Sequence, residues 1–133
     1  MSAVVRGRRP GVGTMLLGLA VLHVVFGLIA FRRPLGDMLS DGLVNSTGDD
    51  DTRGFAAWFI AAGVGFGCIG LVCRQLERHH VPIPRSLGRA LVVWAAAGAA
   101  VTPASGYWLL FVPAVAILRQ ADTPESGRLL PSG

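Results

Sequence analysis

Residues 11–31 read GVGTMLLGLAVLHVVFGLIAF, a run of 21 residues without an Asp, Glu, Lys or Arg. About 20 apolar residues in a helix cross the hydrocarbon core of a bilayer, which is about 30 Å thick. A second run of this kind, GFAAWFIAAGVGFGCIGLVC, covers residues 54–73. Two such runs predict that the chain crosses a membrane at least twice.

The composition agrees with a membrane protein of one domain. The chain has 133 residues, of which 52% are hydrophobic and only 15% are charged, whereas soluble domains carry about 25% charged residues. Its net charge is +4, and all 12 basic residues are arginines. They flank the apolar runs instead of forming one basic surface, so they predict membrane topology and no nucleic-acid partner.

A cleaved signal peptide is the alternative for the first run, because three arginines precede it within residues 6–9. The run is longer than the 7–15 residues, roughly, of a signal-peptide core, and Phe31–Pro34 (FRRP) lacks the small residues of a cleavage site. We therefore predict a retained helix over residues 11–31, ended by Pro34.

The first loop, residues 32–53, is predicted to be extracytoplasmic, and it holds five of the eight acidic residues. In residues 35–44, apolar positions follow the i, i+3, i+4, i+7, i+8 spacing of an amphipathic helix, which favours a short helix lying in the membrane interface. An irregular loop is the alternative. The acidic run Asp49–Asp51 suits the positive N-terminal dipole of the next helix better than a cation site.

Residues 74–86 form a basic loop that is predicted to be cytoplasmic, with two prolines that stop the preceding helix. Adjacent His79 and His80 lack a third ligand at a useful spacing, so no metal site is expected. The last apolar stretch is broken by TPASG at residues 102–106, which is turn chemistry. Ser105 is a candidate N-cap, so spans at 87–102 and 106–119 are predicted.

Arginine counting favours four spans over three. With four spans, nine arginines lie inside and three outside, whereas three spans would move Arg119 and Arg128 outside and give seven against five. The positive-inside rule selects the four-span arrangement. The sequence thus predicts an all-α bundle of four transmembrane helices in the plasma membrane, with both termini cytoplasmic and a disordered cytoplasmic tail at residues 120–133.

His23 is the one ionisable residue deep in a predicted span, and such residues raise a functional hypothesis. A second membrane-depth histidine for haem, or a span carboxylate for a proton relay, is missing from the four predicted spans. The favoured use is structural: a neutral imidazole bonded to a neighbouring helix, with Gly27 leaving space for that helix. A lipid or quinone ligand beside His23 is the alternative.

Small residues and aromatic residues mark further candidates. Gly63 and Gly67 form a GxxxG pattern, and Ala96 and Ala100 lie on an alanine-rich face; both pairs are predicted to serve helix packing. Aromatic residues gather at membrane interfaces. The candidate ligand-binding residues are His23, Gly27, Trp58, Ser105, Tyr107 and Trp108.

No catalytic motif stands out in the sequence. It contains no His-Glu-x-x-His, Gly-x-Ser-x-Gly, phosphate loop or Cys-x-x-Cys, and the predicted spans lack the carboxylate on which small multidrug exporters depend. We therefore expect no enzyme activity, no catalytic residues, no metal and no cofactor. The bilayer and a membrane protein, either a second copy of the chain or another protein, are the expected partners.

The chain resembles a family of small four-helix bacterial membrane proteins, mostly actinobacterial, that is known only as a domain of unknown function. The shared elements run from about residue 12 to 119: Leu17-Gly18, His23, Gly27-Leu28, Phe31, Pro34-Leu35, Asp41-Gly42, Ala56-Ala57-Trp58-Phe59 and Pro103-Ala104-Ser105-Gly106-Tyr107-Trp108. The resemblance implies four spans. It also implies that His23 and the turn before the last helix are important. It implies no activity.

Overall fold

The structure, a computed structural model, describes residues 11–42, 44, 46–48, 50–103 and 105–120. These residues form helices and no strand, which confirms the all-α prediction. The helices are α1 (Val12–Ala30), α2 (Arg32–Ser40), α3 (Asp51–Arg78), α4 (Arg85–Val101), a 3-10 helix (Gly106–Leu110) and α5 (Phe111–Gln120). Three of the arginines in the N-terminal region, Arg128 and nearly all of the predicted disordered tail lie outside the described residues.

The chain divides after Arg78 into two compact units. The first unit contains α1, α2 and α3, and the second contains α4, the 3-10 helix and α5.

In the first unit, α1 and α3 pack antiparallel along most of their length. A glycine lies on one side of each close contact between them. From the start of α1, the contacts join Gly13 to Arg74, Leu17 to Gly70, Ala20 to Gly67, Val24 to Gly63 and Gly27 to Ile60. A Cβ atom built on Gly70 would lie 3.0 Å from the backbone nitrogen of Leu17. The glycines therefore let the two backbones approach closely.

Both helices of this pair are long and apolar enough to cross a membrane. The most apolar 18-residue window is only 28% buried in α1 and 22% buried in α3. Large apolar side chains face outward on both, including Ile29, which is 67% exposed, and Trp58, which is 78% exposed. The other helices are shorter: α4 has 17 residues and α5 has 10. The structure thus establishes two helices with the length of a span.

The first helix covers the predicted span of residues 11–31 to within one residue at each end. α1 stops at Ala30, and Pro34 lies in the first turn of α2 instead of terminating α1. A proline is tolerated there because its missing N–H would have no partner in the first turn. α2 occupies residues 32–40 where a short helix over 35–44 was predicted, and it buries Met38 against the unit. Its position in a membrane interface stays a prediction.

The start of α3 is held by a carboxylate, which confirms the prediction that the acidic run begins a helix. Asp50 Oδ1 accepts hydrogen bonds from the backbone N–H groups of Thr52 at 2.9 Å and Arg53 at 3.2 Å. The Arg53 guanidinium donates to Asp41 at 2.8 Å and to the Ser46 carbonyl at 3.1 Å. These bonds join the end of α2 to the start of α3. Asp49 lies outside the described residues.

In the second unit, α4 and α5 form a helical hairpin closed by the predicted turn. Ser105 Oγ caps the 3-10 helix by accepting from the Tyr107 N–H at 3.4 Å, which confirms it as an N-cap. Thr102 Oγ1 donates to the Gly98 carbonyl at 2.9 Å, and the Trp108 indole donates to the Pro103 carbonyl at 2.9 Å. The last predicted helix therefore begins where expected, but its first five residues are 3-10.

Glycines also bring the two arms of this hairpin together. A Cβ atom on Gly88 would lie 3.0 Å from a Leu118 methyl group, and one on Gly98 would collide with the Tyr107 ring. Between these two contacts, Leu91 and Ala95 of α4 are buried, as are Leu110 and Ile117 on the opposite arm. In both units, therefore, a glycine lies where two helices come into close contact.

Replacing Gly70 by leucine should destabilise the protein, because the new side chain would overlap the α1 backbone. Overpacking of this kind costs about 1–3 kcal/mol. Gly65 lies on the same helix with no atom within 4 Å of an added Cβ. Gly65→Leu should be neutral or stabilise by up to about 1 kcal/mol, since leucine favours helix over glycine. Unfolding followed by circular dichroism in detergent micelles measures both. Equal effects of the two substitutions would contradict the packing described.

Candidate functional site

His23 lies in the middle of α1 and reaches across to α3. Its Nε2 is 3.0 Å from the backbone carbonyl oxygen of Phe59. Because a carbonyl can only accept, Nε2 carries the hydrogen and donates it. The side chain is half-buried. The imidazole thus supplies a polar link between two helices that are otherwise joined by apolar contacts in this region.

Aromatic rings enclose the imidazole. The Phe59 ring stacks on it with centroids 4.0 Å apart and planes 10° apart, and the Phe66 ring meets it edge-on at 5.7 Å. Gly63 leaves the space that the imidazole occupies: a Cβ atom there would lie 3.0 Å from His23 Cδ2 and 2.7 Å from a Val24 methyl group. The hydrogen bond, the ring stacking and the close approach of the two helices therefore all involve one turn of α3, from Phe59 to Gly63.

This geometry limits what His23 can do chemically. The Phe59 carbonyl lies within α3 and accepts from His23 through its second lone pair, because the first is used by the backbone hydrogen bonds of the helix. A ligand that used Nε2 would have to break the bond to Phe59. Among the described residues, no three His, Cys, Asp or Glu side chains lie close enough together to hold a metal ion. The contacts of His23 therefore hold α1 against α3.

Gly27 is part of the same contact, one turn further along α1. It is buried, and an added Cβ would lie 2.7 Å from Ile60 Cδ1 and 2.8 Å from the Phe59 ring. Phe31 and Phe55 extend the aromatic cluster, each within 6.5 Å of the Phe59 centroid: 5.3 Å and 6.3 Å. Sequence reasoning missed this cluster, although Phe55, Phe59 and Phe66 lie four and seven residues apart, a helical spacing that could have revealed it.

The six candidate ligand-binding residues fall into separate groups. His23 and Gly27 share Phe59, whereas Trp58 is exposed on α3. Ser105, Tyr107 and Trp108 lie together at the turn of the second unit. There the Tyr107 ring packs on Gly98, and Trp108 is 57% exposed. Within the second unit these residues close the hairpin, and ligand binding by any of the six stays a prediction.

The four predicted packing residues also differ among themselves. Gly63 and Gly67 both face α1, where an added Cβ on Gly67 would lie 3.7 Å from the Ala20 Cβ. Ala96 and Ala100 are exposed, and the neighbouring Ala95 and Ala99 are buried in their place. The packing role of Ala96 and Ala100 therefore stays a prediction for a face of α4 that is exposed within this unit.

Glu77 is a further structural residue that sequence reasoning did not single out. Its carboxylate accepts from the Gly13 N–H at 3.3 Å and 3.4 Å, at the first turn of α1. A carboxylate there satisfies a donor that has no partner within the helix and offsets the positive end of the helix dipole. Gly11 makes room for it, since a Cβ atom on Gly11 would meet the carboxylate. Glu77 therefore fastens the start of α1 to the end of α3.

His23→Phe should cost little stability, because it loses the bond to Phe59 but keeps a ring for stacking. Hydrogen bonds between membrane helices contribute about 0.6 kcal/mol on average and at most about 1.7 kcal/mol. His23→Ala loses the bond and the ring contacts, so we expect a further loss of about 2 kcal/mol. Denaturant titration in mixed micelles distinguishes the two. If the phenylalanine variant were as unstable as the alanine variant, the stacking would contribute nothing.

Comparison with known proteins places the chain in a family without assigning it an activity. Residues 7–124 match a family described as a family of unknown function, DUF6463. No curated protein and no solved structure matches the chain significantly. The match spans every described helix and confirms the predicted membership of an uncharacterised family. The chain belongs to the DUF6463 family of unknown function.

Proposed function

We propose that this chain is an integral protein of the plasma membrane, a non-enzymatic helical bundle that acts as an accessory or interaction subunit. The observation that carries the proposal is the exposure of α1 and α3. A long apolar helix in the core of a soluble protein is mostly buried, whereas less than a third of each apolar window is buried here. Lipid or a protein partner has to cover the rest.

The contacts of α1 support a retained helix over a cleaved signal peptide. α1 packs on α3 from Gly13 to Gly27, and Glu77 and the Phe59 carbonyl bind it at its start and middle. A signal peptide would be removed and would leave the matching glycines of α3 without a partner. The use of His23 for helix pairing also supports a structural role over a catalytic one.

The hairpin of the second unit supports a third and a fourth span. The 17 residues of α4 extend about 25 Å, and the 3-10 helix with α5 extends about as far. A bilayer thins locally around helices a few ångströms shorter than its core. The polar groups of the turn form hydrogen bonds within the chain, as the low polarity near a membrane requires. With nine arginines inside and three outside, both termini are cytoplasmic.

An exposed face of α3 supports the role of an interaction subunit. Trp58, Ala61, Gly65, Cys68 and Val72 are exposed and recur at alternating spacings of three and four residues, so they form one straight stripe. Three of the five are small, which allows a second helix to approach closely.

Reporter fusions test the number of spans. Green fluorescent protein fused after the last residue should fluoresce, and alkaline phosphatase fused there should be inactive, because the C-terminus is cytoplasmic. Phosphatase fused after Asp41 should be active, since the first loop is on the opposite side. An active phosphatase at the C-terminus would contradict four spans.

Photo-crosslinking in native membranes tests the interaction role. A photoreactive residue at Gly65 or Cys68 should give a protein adduct of defined mass, because these positions lie on the exposed stripe. Leu22 is also exposed, at 56%, but it lies on α1 and not on the stripe. The same probe at Leu22 should give lipid adducts only. Lipid adducts alone at all three positions would contradict an interaction subunit.

A further inference from the structure

The end of the α4–α5 hairpin that lies away from its turn carries exposed arginines on both arms. Gly88 of α4 is in contact with Leu118 of α5. Arg89 and Arg119 are the next residues after that contact on each helix, and both are exposed. The two guanidinium groups therefore belong to the same end of the hairpin.

These arginines have no carboxylate near them in the described part of their unit. Residues 79–103 and 105–120 contain no Asp or Glu. Arg89 and Arg119 therefore create a local excess of positive charge. An anion from outside the described hairpin would neutralise it.

An exposed apolar strip continues from Arg89 along α4. Val93, Ala96 and Ala100 follow Arg89 at spacings of four, three and four residues, so all four share one helix face, and each is exposed. The strip is about 17 Å long at 1.5 Å per residue. One leaflet of the hydrocarbon core is about 15 Å thick. The face thus combines a charged end with an apolar length that fits one acyl chain.

We propose that this face binds an anionic phospholipid of the cytoplasmic leaflet. Arg89 and Arg119 hold the phosphate of the headgroup, and one acyl chain lies along Val93, Ala96 and Ala100. Guanidinium groups bind phosphate oxygens in a bidentate manner, and basic residues beside a membrane attract anionic lipids. The inference rests on the proposed membrane location of the chain, which puts this end of the hairpin at the cytoplasmic surface.

Native mass spectrometry of the full chain, released from nanodiscs of mixed phosphatidylglycerol and phosphatidylcholine, tests the site. The wild type should retain phosphatidylglycerol in preference to phosphatidylcholine. Each basic residue near a membrane strengthens anionic-lipid binding about fivefold, so R89Q/R119Q should lower the preference about 25-fold. R89K/R119K keeps both charges and should stay within about threefold of the wild type. R32Q/R33Q removes two exposed arginines from α2 instead, and should change the preference less than about twofold, because Asp37 on the same helix already offsets their charge.

The outcomes separate the inference from its alternatives. An equal loss in R89Q/R119Q and R32Q/R33Q, with unchanged helix content by circular dichroism, would overturn the site. Displacement of the retained lipid by inorganic phosphate at matching concentration would identify a free phosphate site and overturn lipid binding. A wild-type chain that enters nanodiscs without any lipid preference would contradict this inference alone. Failure of the wild type to enter nanodiscs would contradict the proposed function.

Discussion

In the membrane that we propose for this chain, two helices gain little by burying apolar side chains against each other, because the lipid tails are as apolar as the side chains. Close packing of the backbones has to supply the attraction instead, and the contact between α1 and α3 depends on it. Gly13, Gly63 and Gly70 leave no room for a Cβ atom where the opposite helix passes. The position of His23, the aromatic rings around it and the anchoring of α1 by Glu77 all follow from this approach.

The histidine fixes the register of a contact that the glycines alone would not fix. Its bond to the Phe59 carbonyl is possible only in one register, in which Gly63 faces the imidazole. Tyr107 on Gly98 has the corresponding role in the second unit, where the Thr102 and Ser105 hydroxyls also hold the turn. Each unit thus combines small residues for proximity with one larger ring for register.

Much of this architecture could be predicted from local sequence. The lengths of the first two apolar runs gave the two long helices, and TPASG gave the turn, with Ser105 as its cap. These features depend on residues that are neighbours in the chain. The start of α2 at Arg32, two residues before Pro34, could not be predicted, because the sequence does not mark it. The burial of Ala95 and Ala99 in place of Ala96 and Ala100 could not be predicted, because a run of alanines does not reveal which face is buried.

The partners of the candidate site could not be predicted, for a physical reason. His23 binds a backbone carbonyl, which every residue of the neighbouring helix offers, so no residue type marks the acceptor. The bond from Glu77 to the Gly13 N–H has the same character. Both depend on the register of α1 against α3, which involves contacts spread over 15 residues of α1 and no local sequence pattern.

That register is tested most directly by a disulfide between Ala20→Cys and Gly67→Cys, in a chain with Cys68→Ser and Cys73→Ala and a protease site between α2 and α3. The two Cβ positions are 3.7 Å apart, within the span of about 3.5–4.5 Å that a disulfide bridges. After oxidation in membranes and cleavage, the two fragments should stay joined until reduced. Leu22→Cys replaces Ala20→Cys in the control; because Leu22 is 56% exposed on another face of α1, its fragments should separate. Separation of the Ala20→Cys and Gly67→Cys fragments without reduction would contradict the packing of α1 on α3.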